Sequence, residues 1–196
     1  MKADLFEQIK ERVVHILSTE LPAHLKYHSL DHTLYVLDAA EIIAVKERIS
    51  ESDKFLLRVA VLYHDIGFIH TYKDHEAEGC KIASVHLPAF GFSKEEIAKI
   101  CGMIMATKIP QTPHNLLEEI IADADLEYLG TEKFASIAHK LFEEIRLVNN
   151  GITIEEWNRI QVQFLTNHHY FTSYCKQYKA PQKALNLEEL KNSLGK

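Results

Sequence analysis

The chain has 196 residues, 46% of them hydrophobic and 26% charged, which is enough to bury a core without disulfides and too apolar for wholesale disorder. A formal charge of −6 excludes a general nucleic-acid coat and a patch for anionic membranes. Seven glycines and five prolines are about half the usual share, roughly 12%, so few long elements are expected, helices rather than a many-stranded sheet. Cys80, Cys101 and Cys175 form no CxxC pair and point to a reducing compartment. The N-terminus is charged and amphipathic from Lys2 to Glu7, unlike a signal peptide. The most apolar stretch, residues 55–63, is broken by Arg58 and too short to span a bilayer. A cytoplasmic protein is expected.

In chain order, Leu5, Ile9, Val13, Ile16 and Leu17 predict an amphipathic helix over about residues 4–18, ended before Pro22. A second is predicted over about 31–48. Ser50 to Asp53 reads as a stop and a new N-cap, opening a largely apolar and therefore central helix over about 53–65. Gly67 is expected to end it in the left-handed conformation. A fourth helix spans about 74–86, before Pro88. Ser93 with Glu96 is a capping box for a helix reaching about 106. Asn115 with Glu118 opens the next, to about 129; a long helix follows over about 132–148, and Asn149-Asn150-Gly151 reads as a turn. Thr153 with Glu156 caps a helix expected to run to about 172, and a short last helix is expected near 186–194, after Pro181. No repeat or linker interrupts the pattern. The expectation is one all-α domain over 1–196, with its chemistry within about 25–130 and a helical extension over about 131–196.

Twelve histidines are the unusual feature of the composition. His28 and His32 straddle a helix start. His64 and Asp65 end the most apolar helix, and Asp123 and Asp125 interrupt another. His75 and Glu76 open the helix that follows the His-Asp pair. Burying such groups in apolar helices is costly unless something pairs with them, and a divalent cation does so. Imidazoles mixed with carboxylates suit Mn, Fe, Co, Ni or Zn, and Mg less well. No glycine-rich phosphate loop and no Ser or Cys nucleophile context is present. Lys73, Lys81, Lys108 and Arg58 are basic residues near these positions that could grip phosphate.

His32, His64-Asp65 and Asp125, with their flanks Tyr27 to Thr33, Val61 to Gly67 and Asp123 to Gly130, resemble the H…HD…D signature of the HD-domain metal-dependent phosphohydrolase superfamily. The resemblance implies an all-helical bundle that hydrolyses phosphoesters with bound divalent metal. It implies His32, His64, Asp65 and Asp125 as ligands, with Asp125 preferred over Asp123 because Leu126 follows it. One tight ion is expected, with a weaker second one open; His75, His86 and His114 match no firm spacing for it. Asp65 would also take a proton from water. Tyr27-His28-Ser29 resembles the segment supplying a general-acid His in cyclic nucleotide phosphodiesterases, although Ser29 stands where those have Asn, so His28 is the expected acid. Lys73, His75, Glu76 and Asp123 are the expected substrate contacts. The expected partner is a small phosphorylated substrate such as a nucleotide, with no nucleic-acid coat and no membrane; a homodimer is the assembly considered. A metal- and ligand-binding sensor without turnover, and a cyclic nucleotide phosphodiesterase, are the alternatives.

Overall fold

A computed structural model describes residues 2–148 and 151–194. The amphipathic patterns become ten α-helices, with no strand among the described residues: α1 Lys2–Glu20, α2 Leu30–Lys46, α3 Glu51–Tyr63, α4 His75–His86, α5 Lys94–Ala106, α6 Leu116–Asp125, α7 Phe134–Val148, α8 Ile154–Asn167, α9 Ser173–Tyr178 and α10 Ala180–Leu194. Short 3-10 turns cover Ile66–Ile69, Leu87–Phe90 and Glu127–Gly130.

Helix α3 is central because its sequence gives it no polar face along most of its length. Its residues from Phe55 to Tyr63 are buried except Arg58, which pairs with Glu41. Helices α1, α2, α5 and α6 pack around it, and one continuous core runs from Phe6 on α1 to Ile121 on α6 and Cys175 on α9. A second apolar cluster joins Tyr27, Leu126, Tyr128 and Leu129 to Phe134 and Ala138 of α7 and Leu165 of α8. This cluster seats the C-terminal helices beside residues 27 and 126–129. Helix α10 closes the arrangement against α8 and the 127–130 turn.

Caps set several boundaries as expected from sequence. Ser29 accepts from the His32 amide, Ser50 from Asp53 and Asn115 from Leu117 and Glu118, while Ser93 and Thr153 form full capping boxes with Glu96 and Glu156. Other boundaries depart from the expectation. Gly67 is not left-handed. It lies in the 3-10 turn after α3, where a Cβ would stand 2.0 Å from the His75 carbonyl oxygen, so glycine is needed there for close approach. Helix α6 stops at Asp125 rather than 129, and α8 stops at Asn167 rather than 172. Residues 168–172 leave α8 because Asp123 captures the backbone at Phe171 and Thr172. Helix α10 begins at Ala180, with Pro181 inside its first turn, where the missing N–H is one that a helix leaves unpaired anyway. Helix α9, capped by Thr172, had no sequence expectation. Gly151 is left-handed at φ +102°, as a turn requires, while Asn149 and Asn150 lie outside the described residues.

A candidate metal centre at the head of an apolar cavity

His32 stands in the first turn of α2, placed there by the Ser29 cap. His64 and Asp65 follow directly on α3, and Asp125 is the last residue of α6. Three elements that pack on one core therefore deliver their polar groups to one point. One ligand atom from each of His32, His64 and Asp125 lies within 4.8 Å of the others. Asp125 Oδ1 is 3.0 Å from His32 Nε2 and 3.6 Å from His64 Nε2. Asp65 Oδ2 is 3.5 Å from His32 Nε2 and 3.2 Å from His64 Nε2.

The His64 Nδ1–H donates to the Val61 carbonyl at 2.7 Å, which turns Nε2 toward this cluster. That Nε2 and Asp65 Oδ2 are both buried and close, yet neither has a hydrogen-bond partner. Two orphaned polar atoms, an imidazole nitrogen and a carboxylate oxygen aimed at one point, are what a site for a divalent cation requires. The donor set, two imidazole nitrogens and two carboxylates, fits such an ion. In the protein alone, a proton is the substitute counter-charge. Burial disfavours a charged His64, but Asp65 and Asp125 outweigh it and hold the imidazole well above its ordinary value. Burial likewise disfavours ionised Asp65 and Asp125, but the facing imidazoles, His64 for Asp65 and His32 with His64 for Asp125, hold Asp65 well below the usual range and Asp125 at about 2.

A cavity of ≈ 300 Å³ opens at this cluster, with Asp65, Asp125, His28, His75 and Glu76 at its head. His75 Nε2 is 3.5 Å from Asp65 Oδ1. Phe68 stacks on the imidazoles of both His28 and His75, with centroids 4.2 and 3.8 Å away, and the two imidazoles are themselves 6.0 Å apart. His28 stands outside the converging set, 6.2 Å from the His32 ring between centroids. Its Nδ1 is held by Glu144 of α7 in a very short contact. Glu144 is fully buried; it also accepts from the amides of Tyr27 and His28 and from the Tyr72 hydroxyl.

The remaining positions singled out from sequence divide. His75 and Glu76 reach the cavity, but Lys73 is exposed and does not line it. Lys108 pairs with Asp74 at 2.5 Å, Lys81 with Glu78 at 2.8 Å, and Arg58 with Glu41. Among the described residues no lysine or arginine lines the cavity. Asp123 does not face it either, since residues two apart on a helix point about 200° apart. Its carboxylate instead accepts from the Phe171 and Thr172 amides, at 2.9 and 2.8 Å, and from the Thr172 hydroxyl at 2.6 Å. His114 is exposed, and His86 lines a different cavity with Arg12 and Glu20. Thr107 does line the main cavity.

Sequence reasoning missed Glu144, Tyr72 and the apolar wall supplied by α7 and α8. A signal for Glu144 existed: it falls three residues after Leu141 and four before Val148, where the apolar stripe of α7 should continue.

The HD-domain family model matches residues 29–127 of the chain. A crystal structure of a predicted HD superfamily hydrolase from an uncultured Thermotogales bacterium has a similar fold, with a TM-score of 0.64 and 21% identity over 94% of this chain and 91% of that one. No curated protein matches the chain. No helix among the described residues is long and apolar enough to cross a membrane.

Proposed function

Because the chain belongs to the HD-domain family, a superfamily of metal-dependent hydrolases, we propose that it hydrolyses a phosphoester of a small phosphorylated metabolite. The observation that carries this reading is the convergence of His32, His64, Asp65 and Asp125 on one point, with orphaned Nε2 and Oδ2 atoms, at the head of a cavity. Those four residues would hold the ion. When bound, a divalent ion supplies a water of lowered pKa and withdraws charge from a phosphoryl oxygen.

The chain's own groups supply the rest. Asp65 presents Oδ2 to the convergence point and takes the proton released as water attacks phosphorus. Its Oδ1 faces His75, which keeps the carboxylate oriented. The P–O bond to the leaving group breaks, and the leaving oxygen needs a proton. His28 supplies it: Glu144 fixes the ring through Nδ1 and leaves Nε2 as the nitrogen free to donate. His75 and Glu76 border the phosphoryl position.

The test is a panel of phosphate substrates assayed with Mn, Co, Ni, Mg and Zn, together with elemental analysis after gentle purification. About one ion per chain and turnover above an Asp65→Ala control are expected. A protein that takes up none of these metals, or turns over nothing beyond that control, defeats the reading.

A further inference from the structure

Below its polar head, the cavity is walled by Phe134, Leu141, Ile145, Trp157, Phe164 and Leu165. Trp157 and Leu165 are buried at 6% and 2% exposure, so this wall is built into the interior. It comes from the C-terminal helices α7 and α8, both outside residues 29–127 that match the family model. The wall is continuous with the metal-type cluster, because Asp65, Asp125 and His28 border the same space. It carries no cation to neutralise further phosphates. A polyphosphate chain would enter a space whose charged lining groups away from the histidines are acidic. A nucleobase would fare poorly too, since its edge needs donors and acceptors. The polar side chains along the cavity are already engaged: Thr107 donates to the Ile104 carbonyl at 2.8 Å, Tyr72 to Glu144 at 3.3 Å, and Gln161 Nε2 on the α8 wall to Asn158 at 3.1 Å. Burying unmatched base-edge groups against hydrocarbon costs about 1–3 kcal/mol each.

We infer that this cavity takes an apolar body carried by a single phosphate, so that the substrate is a phosphomonoester with an alkyl or aryl group rather than a nucleotide. The inference rests on the metal-centred reading above for the phosphate end and on the α7–α8 wall for the other. Exposed Ile109 and Ile160 line both this space and a neighbouring apolar one, so the wall continues outward and a body longer than the cavity has a path between them.

Trp157 is the one tryptophan of the chain, and it lines the cavity, so its emission reports occupancy directly. Zinc-loaded protein, which avoids paramagnetic quenching, is titrated with n-alkylphosphonates from two to ten carbons and with adenosine 5′-monophosphate, while the emission is followed. Kd is expected to tighten about fourfold per methylene until the cavity is filled. The mononucleotide should bind no better than ethylphosphonate. Phe164→Gln, checked for native helicity by circular dichroism, should flatten the chain-length dependence. An affinity independent of chain length, or a mononucleotide that binds more tightly than octylphosphonate, overturns the inference. Turnover of p-nitrophenyl phosphate with Mn or Co is measured alongside. Turnover without the chain-length series would defeat this inference and leave the hydrolase reading standing. The series together with no turnover of this or any panel substrate would uphold the apolar site and defeat hydrolysis.

Discussion

Asp123 and Asp125 show how two carboxylates in one helical turn take up different work. Both interrupt the apolar run of α6, and both are drawn inward. Asp125 ends the helix facing His32 and His64, whereas Asp123 faces the 171–172 backbone and accepts three hydrogen bonds. Asp125→Ala should therefore abolish metal uptake measured by elemental analysis. Asp123→Ala should leave uptake intact but orphan the buried Thr172 amide and the half-buried Phe171 amide, costing about 3 kcal/mol in urea denaturation. The reverse pattern would transfer the ligand role to Asp123. His28 and Glu144 form a second pair with separable effects. His28→Ala should keep the metal and lower the rate by about 10²–10⁴. Glu144 opposes its own burial with His28 and two amides, which hold its carboxyl below the usual 4.5. A lowered folded value means stability that is complete above about 4.5 and lost as pH falls through the folded value. Glu144→Gln should hence destabilise the protein at neutral pH, and the gap to wild type should close as the pH drops below about 4.5. A gap that stays constant from pH 7 to 3 would mean that shape, not charge, is what Glu144 contributes.

At the level of elements, the 3-10 turn of Ile66–Ile69 and helix α4 are packed tightly enough to limit what either can carry. A Cβ on Gly67 would meet the His75 carbonyl oxygen at 2.0 Å and the Gly79 amide nitrogen at 2.9 Å. These are backbone atoms, which cannot swing aside. Gly67→Ala should therefore cost at or above the upper end of the 1–3 kcal/mol typical of overpacking. It should also shift the start of α4, and with it His75 and Glu76, so hydrolysis should fall more than the melting temperature alone explains. Native stability with native activity would show that the turn and α4 separate easily. The helices, their capping boxes and the His-Asp set were legible because each rests on local chemistry: a period, a cap, or a charge set in an apolar run. The end of α8 was not legible, because Asp123 holds the chain beyond it from 48 and 49 residues away. Gly67 misled for the same kind of reason, since its function is an approach to another element rather than its own dihedral angle. Trp157 and Phe164 fall in the stretch expected only as a helical extension; the seating of α7 and α8 beside Tyr27 and Leu126 makes them cavity wall.

For the molecule as a whole, the candidate centre ties together three helices that the core already joins. His32 comes with α2, His64 and Asp65 follow α3, and Asp125 ends α6; these helices also share the cluster of Val36, Ala40, Leu57, Val61 and Ile121. That cluster is apolar and contains none of the four candidate ligands, and the raised His64 supplies a proton in the ion's place, which limits the mutual repulsion of Asp65 and Asp125. Metal removal should therefore loosen the protein without unfolding it. An ion that binds only the folded chain stabilises it by about 2.7 kcal/mol at 100 times its Kd and about 4.1 at 1,000 times. For a chain of this size each kcal/mol moves the melting temperature by about 2–4 °C. Chelation should accordingly lower the melting temperature by about 5–15 °C while leaving the helical circular dichroism at 25 °C nearly unchanged, and Zn or Mn should restore it. In His64→Ala the same chelation should have no effect, because the ion has already lost one imidazole ligand. Unfolding at 25 °C on chelation would make the ion part of the core. An unchanged melting temperature in wild type would mean that the four side chains hold no ion at all.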